Sequence, residues 1–269
     1  MQKPVAGILV GLTSAALVLA ADPLLTLSFA ERNPLETIEL KTYDWRIART
    51  ADPSSARKDI ALIEIDEYSL RNLEPQAGRW PWPRIVHGEL LDYLARAPAR
   101  VVAYDVLFAE PDSRQGFKFG DETLSGQESD EAFVESVRQS GNVILLADAT
   151  FEGEAVGDTS AFPETGFRVD SPGVVERKLI FPPFRALAGA AAGFGHNLFV
   201  LDPDGPLRHT IPFVRVGDQA LPSFGLSAAL RALPPDHGPV RMDDGVLRVG
   251  DRALPLTSRT VRRTDGQYS

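Results

Sequence analysis

Residues 83–108, PRIVHGELLDYLARAPARVVAYDVLF, decide the fold class. Their first part, Pro83 to Ala97, places Val86, Leu90, Leu94 and Ala97 on one face at helical spacing, with Pro83 at the start where a missing N–H costs nothing. The stretch that follows, Arg100 to Phe108 (RVVAYDVLF), is short, β-branched and apolar on both faces, which is the pattern of a buried strand. Working outward, Asp59 to Asp66 (DIALIEID) reads as a preceding strand closed by an acid. Ser129 to Ser140 (SDEAFVESVRQS) reads as a second helix, with Ser129 as N-cap, Asp130 and Glu131 in the first turn, and Gly141 as its stop. Asn142 to Ala149 (NVILLADA) reads as a third strand. Strand, helix, strand, helix, strand with continuously apolar strands predicts an α/β fold whose core is a parallel sheet of βαβαβ type covered by helices.

Beyond Thr150 the pattern changes. Residues 151–175 are rich in Gly, Pro, Ser and acids and read as a long excursion. A short helix over 184–192, strands over 195–201 and 209–216 around the turn Asp202-Pro203-Asp204-Gly205, a helix over 223–233 and a hairpin over 240–249 follow. This predicts a mixed α+β C-terminal extension. Leu254 to Ser269 reads as a strand and loop awaiting a partner. Upstream, Leu35 to Thr50 is a helix that Asp52-Pro53-Ser54-Ser55 ends.

The N-terminus predicts a transmembrane helix. Lys3 precedes the uncharged run Val5 to Ala21, and apolar character resumes over Leu24 to Ala30. A lysine on the near side keeps the N-terminus inside and sends the body across the membrane. The rival is a cleaved signal peptide with its site at Val18-Leu19-Ala20; both readings export residues 31–269. The expected division is a membrane anchor over 1–30 and one extracytoplasmic domain over 31–269.

The chain has 269 residues, a net charge of −9 and no cysteine. The acidic balance argues against nucleic acid as a partner, because such binding neutralises phosphates with Lys and Arg. Thiolate nucleophiles, zinc–thiolate sites and disulfides are excluded.

Candidate site residues are acids at predicted strand ends, Glu64, Asp66 and Asp105, together with Trp82 and Arg84 of the segment RWPWPR (Arg79 to Arg84). In parallel sheets, ligands gather at the carboxyl ends of the strands. Carboxylates there can hold a polar group, while the indole supplies an apolar wall. The same acids also suit helix capping, and Arg84 could pair with one of them only to brace the loop. The four histidines show no metal-ligand spacing, Asp202-x-Asp204-Gly205 lacks the later ligands of a calcium loop, and Ser223-Phe224-Gly225 is half a nucleophile elbow. No catalytic residue, metal or cofactor is assigned.

Five segments in order carry a resemblance: Tyr43-Asp44-Trp45-Arg46; Asp59 to Ser69 (DIALIEIDEYS); RWPWPR; Ala103 to Phe108 (AYDVLF) with Glu110-Pro111-Asp112; and Asp202 to Arg208 (DPDGPLR) followed by Pro212. Together they resemble the CHASE type 2 domain, an extracellular sensory module of bacterial adenylate cyclases, diguanylate cyclases, histidine kinases and Ser/Thr kinases. The resemblance implies an N-terminal anchor in the bacterial cell membrane, an outward-facing sensor, then three membrane helices and a cytoplasmic output domain. None of the later parts lies within these residues, so the chain is expected to be a piece of a longer protein and not an enzyme itself. The expected partners are the membrane, an unidentified small-molecule or environmental stimulus, and a second copy of the chain. The competing function is a periplasmic metal-assisted hydrolase using Glu64, Asp66 and Asp105.

Overall fold

The computed structural model describes residues 34–256 except 98, 151–166, 168–173, 179, 203, 235, 237 and 244, plus six helical positions between 11 and 20. Most of the expected anchor over 1–30, most of the excursion over 151–175, and residues 257–269 lie outside them. Among the described residues, no helix is long and apolar enough to cross a membrane.

The described chain divides into two compact units, one of Met1–Ile63 with Val200–His209, the other of Glu64–Phe199 with Thr210–Ser269. The first holds helix α1 (Pro34–Thr50), as the periodicity predicts. A 3-10 turn over Pro53–Ser55 follows, capped by the Asp52 carboxylate, which accepts from the Ser54 N–H.

The second unit begins with α2 (Glu67–Ala77), a helix that the sequence reading did not anticipate, and α3 (Arg84–Leu94). Strand β1 (Val102–Tyr104) precedes a hairpin of β2 (Phe117–Phe119) and β3 (Glu122–Leu124). Then come α4 (Gly126–Ser140), β4 (Val143–Ala147), β5 (Val175–Glu176), α5 (Arg185–Ala190) and β6 (Gly193–His196). The hairpin β7 (Phe213–Val216) and β8 (Gln219–Pro222) leads to α6 (Phe224–Ala232). A three-stranded meander, β9 (Val240–Asp243), β10 (Val246–Val249) and β11 (Arg252–Pro255), ends the described chain.

The core is a parallel sheet in the order β1-β4-β6. All five residues of β4, VILLA, are buried, as a central strand covered on both faces requires. Val143, Leu145 and Ala147 pack with Phe133 and Val137 of α4 and Leu187 of α5. On the other face β6 meets α6 closely. A Cβ added at Gly195 would lie 2.3 Å from the Phe224 Cα, so only glycine fits. A satellite core of Phe213, Ala220, Leu230, Met242, Leu247 and Val249 joins the C-terminal strands to α6.

The βαβαβ unit is present, displaced by one strand. The stretch 59–66 is not a strand: it joins no sheet among the described residues, and Ile60, Leu62 and Ile63 are 70, 81 and 57% exposed. A short apolar run specifies a strand only when another edge accepts its hydrogen bonds, and Asp66 is committed to capping α2. The third parallel strand is β6, reached through α5. A second correction concerns α4. Its N-cap is Ser125, which accepts from the Glu128 N–H while the Glu128 carboxylate accepts from the Ser125 N–H. Ser129, expected as the cap, is buried one turn inside, where its Oγ accepts from the Ile85 N–H at 2.9 Å. Gly141 stops the helix as expected, in the left-handed conformation with φ 62°.

Candidate functional site

The connection Trp80-Pro81-Trp82-Pro83 delivers the chain into α3 with both indoles close to the helix start. Arg84, His87, Gly88 and Leu91 recur at spacings of three and four and face α4. Gly88 lets the two helices close, since a Cβ there would sit 3.2 Å from the Ser136 Oγ. His87, 2% exposed, ends at the centre of a ring cluster. Its imidazole lies 5.7 Å from Tyr104, 5.1 Å from Phe108 and 5.9 Å from Phe133, centroid to centroid. Trp80 and Trp82 close the other side at 5.8 and 6.2 Å.

The polar atoms of this cluster are unevenly satisfied. Tyr104 Oη lies 2.8 Å from His87 Nδ1. The arrangement that leaves the phenol proton with an acceptor has Tyr104 donating to Nδ1, which puts the ring proton on Nε2. That Nε2, the Trp82 Nε1, the Arg84 Nε and the Asp130 Oδ1 are all buried without a hydrogen-bond partner among the described residues. Each such group costs about 1–3 kcal/mol while it stays unpaired. Arg84 donates from Nη2 to the Glu110 carbonyl at 3.3 Å and lays its guanidinium 4.9 Å from the Phe108 ring centre. Its Nε faces Asp130 Oδ1 across 3.9 Å, too far for a hydrogen bond. Asp130 Oδ2 accepts from the Asp112 N–H at 2.8 Å, and Arg114 bridges the Asp112 carboxylate to the Pro81 carbonyl.

Burial sets the charge states. It lowers the His87 pKa to about 4, helped by the nearby Arg84 cation, so the imidazole is neutral at neutral pH. Burial raises the Tyr104 pKa, keeping the phenol protonated, and raises that of Asp130, against the hydrogen bond from the Asp112 N–H.

Of the residues singled out from the sequence, Trp82 and Arg84 belong to this cluster. The three acids do not. Asp66 is exposed and caps α2, accepting from the Ser69 N–H, a bond that also lowers its pKa. Glu64 is exposed in the unpaired stretch. Asp105 follows Tyr104, and side chains alternate along a strand, so the tyrosine that turns inward leaves the aspartate exposed. The carboxylate that Arg84 faces is Asp130, read from the sequence as a first-turn helix acid. His87 and Tyr104 were also missed. The available signal for His87 was its position three residues after Arg84 and four before Leu91.

A second polar constellation lies within the first unit. Arg208 spends all five guanidinium N–H groups on carboxylates. Nε and Nη2 donate to Asp44 at 2.6 Å each, Nη1 and Nη2 to Asp204 at 2.6 and 2.9 Å, and Nη1 to Asp202 at 3.1 Å. Hydrogen bonds donated to Asp44 and Asp204 raise the Arg208 pKa, and Arg208 in turn lowers theirs. The clamp fastens α1 to the loop Asp202–Arg208.

Among the described residues, no group of three or more His, Cys, Asp or Glu side chains is placed to hold a metal ion, so Glu64, Asp66 and Asp105 form no metal cradle. No curated protein and no solved structure matches the chain. The CHASE2 domain model matches residues 15–266, which takes in both the ring cluster and the arginine clamp. The chain therefore belongs to the CHASE2 domain family, a family of extracellular, non-catalytic sensory domains.

Proposed function

We propose that this chain is the extracytoplasmic input module of a bacterial transmembrane signalling protein, anchored in the cell membrane through residues 1–30, with residues 31–269 outside. The output it serves is a cyclase, diguanylate cyclase or kinase carried elsewhere in the same protein, and a second copy of the chain is its partner in signalling. The observation that carries this reading is the family match across residues 15–266. The lysine ahead of the apolar run supports the orientation. The ring cluster around His87 is the sensory centre in this proposal. Four buried polar atoms without a partner among the described residues support that choice, because each is a group whose energy a proton or a hydrogen-bonding partner would change. A stimulus works there by binding one of two arrangements of α3 more tightly than the other. The Arg208 clamp ties the helix that follows the proposed membrane anchor to the Asp202–Arg208 loop.

The test is a fusion of the chain to a diguanylate cyclase reporter in a bacterial inner membrane. Arg84→Met and Trp82→Phe are expected to reset the reporter's output, and Leu62→Ser to leave it alone. Equal behaviour of all three would sink the proposal.

A further inference from the structure

We propose that His87 is the proton-sensing residue of this domain: in acid its imidazole takes up a proton and α3 loosens from β1. The proposal rests on the ring cluster being the sensory centre, and it names the proton as the stimulus.

The geometry leaves no place for a second cation. His87 faces Tyr104 from β1, Phe108 from the segment after β1, Phe133 from α4, and Trp80 and Trp82 from the connection into its own helix. The charged groups around it are Arg84 on the same helix, Asp130 on α4, and the Asp112–Arg114 pair beside them. None of these carboxylates hydrogen-bonds the imidazole. The proton adds to Nδ1, because Nε2 already bears one. Nδ1–H can then only donate to the Tyr104 oxygen, and the phenol proton loses the acceptor it had. One protonation therefore creates an imidazolium beside the Arg84 guanidinium, a homeless phenol O–H, and a still unpartnered Nε2–H.

Asp130 Oδ1 is the unpartnered carboxylate oxygen of the cluster, and it already faces Arg84 across 3.9 Å. Two cations then compete for one acceptor, and the closely packed rings cannot admit both. The relief is movement of α3. The direction follows from linkage. The folded-state pKa of His87, about 4, lies below its ordinary 6.5, so the loosened state binds more protons and gains population as pH falls through that window. Asp130 acts oppositely, because its pKa is raised, and it moderates the transition. The outside of a cell is where such a window is used, since the cell does not buffer it.

Tryptophan fluorescence reads the event directly, because two of the three tryptophans flank His87 and an imidazolium quenches indole. In the full chain carrying Trp45→Phe, a reversible fall in emission is expected with its midpoint between about pH 4 and 6.5. His87→Gln should abolish it, and His196→Gln should leave it in place. Tyr104→Phe removes the donor that favours the neutral ring and should raise the midpoint by about half a unit to one unit. A flat profile, one that survives His87→Gln, or one that vanishes with His196→Gln overturns the proposal. If His87→Gln fails to fold, an unmoved midpoint in Tyr104→Phe overturns it equally. The cyclase reporter separates the two levels: a flat titration with a responsive reporter removes the proton and keeps the sensory centre. A titrating His87 beneath an unresponsive reporter removes the sensory centre.

Discussion

The ring cluster of the second unit and the arginine clamp of the first solve the same problem of holding polar groups in opposite ways. Around His87, charge is suppressed: the imidazole is neutral, the phenol protonated, and four polar atoms go without partners among the described residues. Around Arg208, charge is saturated, with every N–H of the guanidinium on a carboxylate oxygen. The first arrangement is insensitive to salt and tense toward protons. The second is satisfied as built; salt reaches it through the half-exposed Asp44 carboxylate, since the side chains of Arg208, Asp202 and Asp204 are buried, and acid weakens it by removing its carboxylates.

The largest expected effect breaks the first region by volume. Phe133→Ala removes a fully buried ring that touches His87, Tyr104 and Phe108, and should cost about 3–5 kcal/mol by denaturant unfolding. A loss below 1 kcal/mol would mean the cluster is not packed as described.

Acid comes next. His87 and His196 are both buried, and both have pKa values lowered from 6.5 to about 4, His196 by burial with help from Arg177. A depressed folded pKa gives stability that is complete above about pH 6.5 and is lost as pH falls toward 4. Each histidine accounts for about 3 kcal/mol of that loss. Unfolding free energies across this range should show the slope, and His196→Gln should halve it. A flat dependence would contradict the burial of both rings.

The clamp responds later and more gently. Asp44 and Asp204 have lowered pKa values, so their contribution is present above the ordinary carboxylate pKa near 3.8 and is lost only below it. Asp44→Asn should lower the melting temperature less than the acid effect does, and the difference between variant and parent should shrink in high salt. A salt-independent difference would mean the clamp is screened from solvent and closer in kind to the ring cluster than proposed.

Smallest of all is Leu62→Ser. The side chain is 81% exposed in an unpaired stretch, so stability should change by less than about 0.5 kcal/mol. A large loss would show that residues 59–66 pair as a strand in solution.

That last stretch marks where sequence reasoning stops. Periodicity located α1, α3, the body of α4, β4 and α6 within a few residues, because amphipathic spacing and capping residues are local properties. It also identified Trp82 and Arg84, whose crowding with proline in RWPWPR is visible without a fold. It did not find Asp130. Three residues in the sequence look equally able to meet Arg84, namely Glu64, Asp66 and Asp105, and Asp130 reaches it only because Gly88 allows α3 and α4 to pack closely.

What the sequence by itself determined is the α/β class, the parallel core and the family, since each rests on short-range spacing or on motifs in order. What only the tertiary structure decided is which strands pair, which acid faces the arginine, and which histidine is buried among rings. The reason is that pairing and burial are properties of two segments at once. An apolar run such as DIALIEID offers hydrogen bonds to any edge, but in the folded chain the third parallel strand is Gly193–His196, paired with β4. Asp105 lies outside the ring cluster for an equally non-local cause: β1 turns Tyr104 inward to meet His87, a residue from another element, and the next side chain faces away.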